Sequence, residues 1–143
     1  TFTTALGALL PAGSIIHAVD RQWQNLPQQF GNAAIHFHHA DFEKDLLSFN
    51  NLDGILAANA LHYVKDQRSL LARLARHLQE GGRFVLIEYD RRQANRLVPY
   101  PLSFTDAAHL FRSIGFKNIQ KLNERPSAYG QATIYSCVAS KEN

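Results

Sequence analysis

Polar side chains stand at or just past the ends of three apolar, strand-like segments of this sequence. They are Asp20, Asp41 and Asn59. In a parallel sheet, ligands bind beyond the carboxyl ends of the strands, so chemistry is expected at these positions. The Asp20 carboxylate can accept two hydrogen bonds from the paired hydroxyls of a ribose, which indicates a nucleotide-type ligand. The alternative for both aspartates is that each caps the helix that comes after its strand.

His62 and Tyr63 lie just beyond Asn59 and are the candidate catalytic residues. Histidine has the side chain whose ordinary pKa best suits removal of a proton near neutral pH. Both side chains are placed to line a substrate site. As alternatives, His62 only forms the start of the next helix, and Asn59 is a buried residue that shapes a turn.

Three further histidines, His36, His38 and His39, form a dense patch on one strand-like segment. His36 and His38 share a face of that strand, but a third ligand at suitable spacing for a metal ion is missing. Packing on a half-exposed strand explains these residues better, so no metal site is predicted. Cys137 is the only cysteine, which excludes an internal disulfide and a cysteine zinc site.

A sheet must position these side chains, and its centre is predicted from two apolar runs, residues 53–58 and 83–89, which are typical of buried parallel strands. Between the runs, leucines at helical spacing predict a helix that Asp66 begins and Gly81-Gly82 ends. The three elements form one βαβ unit. The leucines are Leu70, Leu71, Leu74 and Leu78.

The remaining elements complete an α/β fold with an antiparallel edge. Too few residues join segments 116–122 and 132–139 for a crossover helix, so we expect an antiparallel hairpin. Residues 91–103 form a long polar connection suited to a lid or substrate loop. The other expected elements are a helix around Phe2, Leu6, Leu9 and Leu10, strands at 15–19 and 34–39, a helix or irregular stretch at 21–30, a short helix or turn at 46–49, and a helix from Thr105 to Ile114 that Gly115 ends.

The composition fits a single domain of 143 residues, with enough apolar content, 45%, for a buried core. The net charge of +3 comes from scattered Lys and Arg residues, which form no basic run that would track nucleic acid. No apolar stretch reaches the roughly 18 to 20 residues that span a bilayer. A single cysteine fits a reducing compartment. We therefore predict a cytoplasmic protein without nucleic-acid or membrane partners, and the oligomeric state stays open.

Five short motifs occur in the order and spacing of one known family. They are Val19-Asp20, Ala40-Asp41-Phe42, residues 58–64, Leu78–Arg83 and Ser113–Phe116. With these motifs, nearly the whole chain resembles the class I S-adenosylmethionine-dependent methyltransferases, in particular their small-molecule branch. The resemblance implies a Rossmann-like, seven-stranded sheet that is mostly parallel and has an antiparallel C-terminal hairpin.

The resemblance also implies S-adenosylmethionine as the cofactor and assigns it contacts in this chain. Asp20 would bind the ribose, Asp41 the exocyclic amine of adenine, and Phe42 would offer its backbone amide. Arg21 would flank the adenine, and Asn59 would meet the amino group of the cofactor. Few catalytic residues are expected, because in-line displacement at a sulfonium methyl group mainly needs positioning and exclusion of water.

One hallmark of the family, a glycine-rich turn after the first strand, is absent from this chain. Thr1–Thr4 resembles the residues that come directly after the last glycine of that turn. In the resembling fold, the first strand lies between the strand that ends at Asp20 and the strand that ends at Asn59. Each backbone group left unpaired there would cost on the order of 1 to 3 kcal/mol. Residues 1–143 are therefore expected to be an N-terminally incomplete methyltransferase domain.

The expected acceptor is a small molecule methylated at O, N, S or C. The Asn-Pro-Pro-Tyr pattern that resembling amide and nucleobase methylators carry is replaced here by Asn59-Ala60-Leu61-His62. Residues 91–103 and the segment near Tyr129 are expected to border the acceptor pocket. Two alternatives stay open. One is an NAD(P)-dependent oxidoreductase, since an acid that ends a second strand also binds the ribose of NAD; the other is a non-catalytic methyltransferase-like binding module.

Overall fold

A computed structural model of the chain describes residues 1–128, 130 and 132–142. Tyr129, which the sequence places beside the acceptor pocket, lies outside the described residues. The chain divides into two compact units, Thr1–Ser48 and Phe49–Asn143, and each unit contains its own sheet.

The first unit is a helix packed on a small mixed sheet. Its elements are α1 (Phe2–Leu9), β1 (Ser14–Asp20), β2 (Gln29–Phe30) and β3 (Ala33–His39). The strand order is β1-β3-β2, in which β1 runs parallel and β2 antiparallel to β3. The helix begins at Thr1, whose hydroxyl accepts a hydrogen bond from the Thr4 amide, and this confirms the predicted helix at the start of the chain.

Helix α1 packs on this sheet through Leu6, and Leu10 packs there directly after the helix. At Gly7 the helix passes so close to β2 that a Cβ atom would lie 2.7 Å from the carbonyl oxygen of Phe30. A larger residue at this position would therefore push the helix away from the strand. The two leucines pack against the buried residues Ile16, Ala33 and Ile35.

The second unit is a four-stranded mixed sheet with two helices. Its elements are β4 (Leu52–Ala58), α2 (Gln67–Ala75), β5 (Leu78–Tyr89), α3 (Phe104–Ser113), β6 (Phe116–Pro126) and β7 (Thr133–Lys141). The strand order is β4-β5-β7-β6. Strands β4 and β5 are parallel, whereas β7 is antiparallel to both β5 and β6. The predicted antiparallel hairpin is thus confirmed.

Alternate positions of β5 and β7 and the inner faces of α2 and α3 supply the core of this unit. Burying one such apolar side chain stabilises the fold by about 1.5 to 3 kcal/mol. Cys137 belongs to this core, and burial raises the pKa of its thiol to about 12, so the thiol stays protonated at neutral pH. Other members are Leu70, Leu71, Leu74, Phe84, Leu86, Phe111 and Phe116.

The predicted end of α2 is wrong. The helix was expected to run through Leu78 to Gly81-Gly82, but it ends at Ala75. Leu78 already belongs to β5, because it pairs with Leu52 of the neighbouring strand. The predicted start is confirmed, since the Asp66 side chain caps the first turn. No helix in the described part of the chain is long and apolar enough to cross a membrane.

Two stretches that come before β4 in the sequence are irregular. No helix forms at 21–28, where the chain runs without regular structure to β2. Trp23 is 71% exposed, and its ring contacts the rings of Phe37 and His39 on β3 at centroid distances of 5.2 and 6.1 Å, so it offers no buried face to a helix. At 46–49 the expected short helix or turn is also absent, and Leu46 is 96% exposed instead of packed.

The predicted seven-stranded, mostly parallel sheet is wrong for this chain. The strands form two mixed sheets, one of three strands and one of four. Within the described residues, β1 pairs only with β3 and β4 pairs only with β5, so one edge of each of these strands has no partner. The coarser α/β prediction is confirmed.

Candidate active site

A buried histidine–glutamate pair lies where the parallel strands β4 and β5 end. His62 belongs to a 3₁₀ turn, Leu61–Tyr63, that comes after β4, and Glu88 is the penultimate residue of β5. The Nδ1 atom of His62 lies 2.8 Å from both carboxylate oxygens of Glu88. The exposed fractions of the two side chains are only 3% and 0%. The sequence points to His62, but it does not reveal this partner.

Glu88 occupies a position that would normally hold an apolar side chain. Successive side chains of a strand point to opposite faces, so Phe84, Leu86 and Glu88 share one face of β5. All three are fully buried. The alternation of buried residues in β5 therefore directs one carboxylate into the core, and this alternation is the signal by which Glu88 could have been found.

The environment of the pair determines its electrostatics. Burial raises the pKa of the Glu88 carboxyl, and the hydrogen bond with His62 opposes that shift. A single nitrogen that faces both oxygens indicates that the Nδ1–H group donates to the carboxylate. Nε2 is then the basic nitrogen of the ring. It takes part in none of the hydrogen bonds found among the described residues.

Two tyrosine rings enclose the imidazole. The ring centroid of His62 lies 4.2 Å from that of Tyr63 and 5.7 Å from that of Tyr89. Tyr63 itself is 58% exposed, so it stands between the buried pair and solvent. A carboxylate on Nδ1 orients the ring and stabilises the imidazolium that forms when Nε2 takes a proton. The arrangement can therefore act as a general base.

Asn59 combines an unusual backbone with an unpaired side-chain oxygen. Its φ is 52°, in the left-handed region that asparagine tolerates better than most residues. Its backbone amide donates to the carbonyl of Ile87 at 2.9 Å. The side-chain Oδ1 atom is buried and has no hydrogen-bond partner in the described structure. A turn-forming role explains the backbone, whereas the contact of Asn59 with the cofactor's amino group stays a prediction.

The connection at 91–103 contacts the turn that carries His62. The Tyr100 amide donates to the carbonyl oxygen of His62 at 3.0 Å. An open depression lies at the end of β5 and the start of β7, and its lining includes two arginines of this connection. That residues 91–103 border the acceptor pocket stays a prediction. The lining residues are Asp90, Arg91, Arg92, Gln93, Ala132 and Thr133.

In the first unit, the Asp20 carboxylate at the end of β1 already accepts two hydrogen bonds. They come from the Gln22 amide at 2.9 Å and from Nε2 of Gln24 at 3.2 Å. These bonds close an irregular turn, not a helix. The neighbouring Arg21 is exposed, and its carbonyl accepts a hydrogen bond from the His39 ring at 2.8 Å. The roles of Asp20 and Arg21 towards a nucleotide stay predictions.

Asp41 shapes the turn after β3. Its Oδ1 atom accepts from the Glu43 amide at 2.9 Å, and its own amide donates to Oδ2 of Asp45 at 2.7 Å. Phe42 is half-buried in the same turn. The adenine contacts assigned to Asp41 and Phe42 stay predictions. The first unit carries Asp20, Arg21, Asp41 and Phe42, whereas the second carries Asn59, His62 and Tyr63.

The histidine patch has a member that the sequence did not suggest. His17 of β1 stands opposite His36 in register, and its Nδ1 atom lies 3.0 Å from Nε2 of His38. Partial burial lowers the pKa of His17, and the neighbouring His38 and His36 add to the shift. Only the pairing of β1 with β3 brings the three together. Among the residues described, no group of three or more His, Cys, Asp or Glu side chains is arranged to hold a metal ion.

Comparison with protein families identifies one match. The family described as "Methyltransferase domain" matches residues 4–86, which is more than half of the chain and includes β1, β3, β4, the His62 turn and α2. No curated protein matches the chain.

Solved structures share the fold. The 1,6-didemethyltoxoflavin-N1-methyltransferase of Burkholderia thailandensis, solved with 1,6-didemethyltoxoflavin and S-adenosylhomocysteine, has a TM-score of 0.68 and 21% identity over 89% of this chain and 61% of its own. A SAM-dependent methyltransferase of Methanosarcina mazei has a TM-score of 0.66 and 14% identity, with 98% of this chain and 86% of its own covered. The CurJ carbon methyltransferase has a TM-score of 0.58 and 23% identity, with 78% of this chain and 36% of its own covered. This chain thus spans about three fifths of the toxoflavin-type enzyme.

Proposed function

We propose that this chain, which belongs to the methyltransferase domain family, transfers a methyl group from S-adenosylmethionine to a small-molecule acceptor with His62 as general base. The family match confirms the resemblance found in the sequence. The observation that carries the catalytic assignment is the buried pair, in which Nδ1 of His62 lies 2.8 Å from both oxygens of Glu88. The S-adenosylhomocysteine and 1,6-didemethyltoxoflavin bound to one structural neighbour support the cofactor and the acceptor class.

The proposed reaction is a single displacement with one proton transfer. S-adenosylmethionine, when bound, supplies a methyl group on a sulfonium. Nε2 of His62 takes the acceptor proton while the freed electron pair forms the bond to the methyl carbon and the carbon–sulfur bond breaks. Glu88 stabilises the resulting imidazolium through Nδ1–H. Burial of the pair keeps water from competing for the proton.

The presence of a general base narrows the range of acceptors that we propose. An acceptor that is already nucleophilic, such as a neutral amine, needs no early removal of a proton. A carbon acid, a hydroxyl or a ring N–H group gains most from a positioned base. One neighbour named as an N1-methyltransferase and another named as a carbon methyltransferase support this choice. We therefore propose an acceptor with an acidic C–H, O–H or ring N–H proton.

The cofactor contacts are proposed from the ends of the strands. Asp20 binds the ribose hydroxyls, Asp41 and Phe42 bind adenine, and Arg21 flanks it. The unpaired Oδ1 atom of Asn59 supports a contact with the cofactor's amino group, because that buried acceptor has no donor in the described structure.

Replacement of Asp20 by alanine should weaken S-adenosylmethionine binding by roughly 1 to 3 kcal/mol, since a charge-assisted hydrogen-bonding partner is lost. Isothermal titration on a chain that also includes the upstream residues measures the affinity, and circular dichroism shows whether the fold survives, as we expect. Asp53→Ala is the matched control, because Asp53 is an exposed acid near the opposite end of its own strand. An unchanged affinity of Asp20→Ala would mean that the end of β1 does not bind the cofactor.

The unpaired edges of β1 and β4 support the proposal that each accepts a further parallel strand, as the incomplete domain predicted from the sequence requires. In β4 the apolar residues Ile55 to Ala58 are only half-buried. We expect a chain that includes upstream residues with a strand and a glycine-rich turn to unfold at higher denaturant concentration than residues 1–143. If residues 1–143 are equally stable, monomeric and bind S-adenosylmethionine, the domain proposal is wrong.

Compartment and partners are proposed from the composition. One cysteine, buried as Cys137, supports a reducing compartment such as the cytosol. Scattered cationic side chains support a small-molecule acceptor over nucleic acid.

A thermal shift experiment tests the cofactor class. S-adenosylhomocysteine at 100 times its dissociation constant should stabilise the folded protein by about 2.7 kcal/mol, whereas NAD⁺ should leave the unfolding temperature unchanged. Stabilisation by NAD⁺ alone would favour the oxidoreductase alternative. Binding of S-adenosylhomocysteine without methyl transfer to any acceptor of the proposed class would favour a binding module.

A further inference from the structure

The connection at 91–103 is held to the second unit at several points. Its middle forms a turn in which Oδ1 of Asn95 accepts from the amides of Leu97 and Val98 at 2.9 and 2.7 Å. Val98 and Leu102 are buried, with 5% and 4% exposed. The Tyr135 hydroxyl donates to the carbonyl of Leu102 at 2.7 Å. The connection is therefore an ordered part of this unit.

One side chain links this connection to the turn that carries His62. Nε2 of Gln67 donates to the carbonyl of Leu61 at 3.0 Å and to the carbonyl of Tyr100 at 2.9 Å. The Tyr100 amide completes the link with its hydrogen bond to the carbonyl of His62. The side-chain amide of Gln67 thus joins the His62 turn to the connection at 91–103, because one of its two carbonyl partners belongs to each segment.

A glutamine suits this position for two reasons. Its NH₂ group carries two donors, so it can serve two carbonyl oxygens at once. It is also the first residue of α2, whose first turn the Asp66 side chain caps, so its backbone is fixed. A glutamate of the same shape would present an ionised acceptor to both carbonyls and would repel them.

We propose that Gln67 is a positioning residue that holds the connection at 91–103 against the His62 turn and thereby controls access to Nε2 of His62. The proposal rests on the methyl transfer proposed above, for which His62 must be shielded from water and in a fixed orientation. Gln67 and Tyr100 donate to backbone carbonyls of the turn that carries His62, and not to the imidazole itself. Gln67 would therefore act on His62 through the position of this turn.

The test is the substitution Gln67→Glu in the full chain, with Gln120→Glu as the control. Gln120 is exposed on β6, so the same change of charge there leaves this contact intact. Diethyl pyrocarbonate modifies accessible imidazoles, and peptide mass spectrometry gives the rate for each histidine. We expect Gln67→Glu to speed modification of His62 at least about five-fold relative to exposed His109, and hydrogen exchange of the Tyr100 amide to rise about tenfold.

The outcomes separate this proposal from the proposed function. Unchanged modification of His62 and unchanged exchange of Tyr100 in Gln67→Glu would overturn the role of Gln67, whatever the activity. Faster exchange of Tyr100 with no change at His62 would also overturn it, since the contact would then be structural only. Equal changes in Gln120→Glu would show a general charge effect and overturn it as well. A wild-type protein that transfers no methyl group would refute the proposed function while both of these readouts still report on Gln67.

Discussion

Replacement of His62 by alanine should lower the rate of methyl transfer by about 10²- to 10⁴-fold, the range that a positioned general base contributes. The affinity for S-adenosylmethionine should stay nearly the same, because the proposed cofactor contacts lie at other residues. The rate is measured with S-[methyl-³H]adenosylmethionine and an acceptor of the proposed class, and the affinity by isothermal titration. The loss should therefore fall on the turnover number.

Two control variants accompany this measurement. His109→Ala removes an exposed imidazole from α3 and should leave the rate unchanged. His62→Gln keeps a polar side chain of similar size in the buried site but supplies no base, so it should be as slow as His62→Ala. If either His62 variant keeps the full rate, the acceptor proton leaves without this histidine.

Replacement of Glu88 by glutamine should separate activity from stability. The amide oxygen can still accept from Nδ1–H of His62, so the core keeps its shape, but the charge that stabilises the imidazolium is gone. We expect methyl transfer to slow by about 10²- to 10⁴-fold. The free energy of unfolding at pH 7 should be unchanged or higher, because a buried carboxylate that must ionise is costly to the fold.

The pH dependence of the free energy of unfolding supplies a second test of the buried Glu88 carboxyl. Burial raises its pKa above the ordinary value of 4.5, so between 4.5 and the raised value the folded state holds a proton that the unfolded state has released. The free energy of unfolding should therefore fall as the pH rises through this window. In Glu88→Gln that part of the slope should disappear from urea unfolding curves. A steeper fall in the variant would mean that the carboxylate is ionised more easily in the folded state.

The parts of this fold that could be predicted are those that depend on residues close together in the sequence. The leucines of α2, the cap at Asp66 and the hairpin of β6 and β7 depend on spacing and turn chemistry within a few residues, and these predictions hold. The helix end was wrong because Leu78 is apolar at the right spacing for a helix, yet it pairs with Leu52 across 26 residues of sequence. The spacing of apolar residues alone does not show that a residue pairs with a distant strand.

The candidate site shows the same limit. His62 stands out because it comes after a strand end, whereas Glu88 lies 26 residues away and becomes its partner only when β4 and β5 pair in parallel. His17 meets His38 through the pairing of β1 with β3 in the same way. Gln67 looks like an ordinary first helical residue, and its two carbonyl partners come from segments that only the fold brings together.

The most direct measurement of the central claim is the protonation state of the His62 ring, read from ¹⁵N chemical shifts in long-range ¹H–¹⁵N spectra at neutral pH. If the Nδ1–H group donates to both oxygens of Glu88, Nδ1 carries the proton and Nε2 is free to act as a base. We predict this tautomer in the wild-type protein and its loss in Glu88→Leu. A proton on Nε2 would contradict the proposed role of His62, because the nitrogen assigned to the acceptor proton would already be occupied.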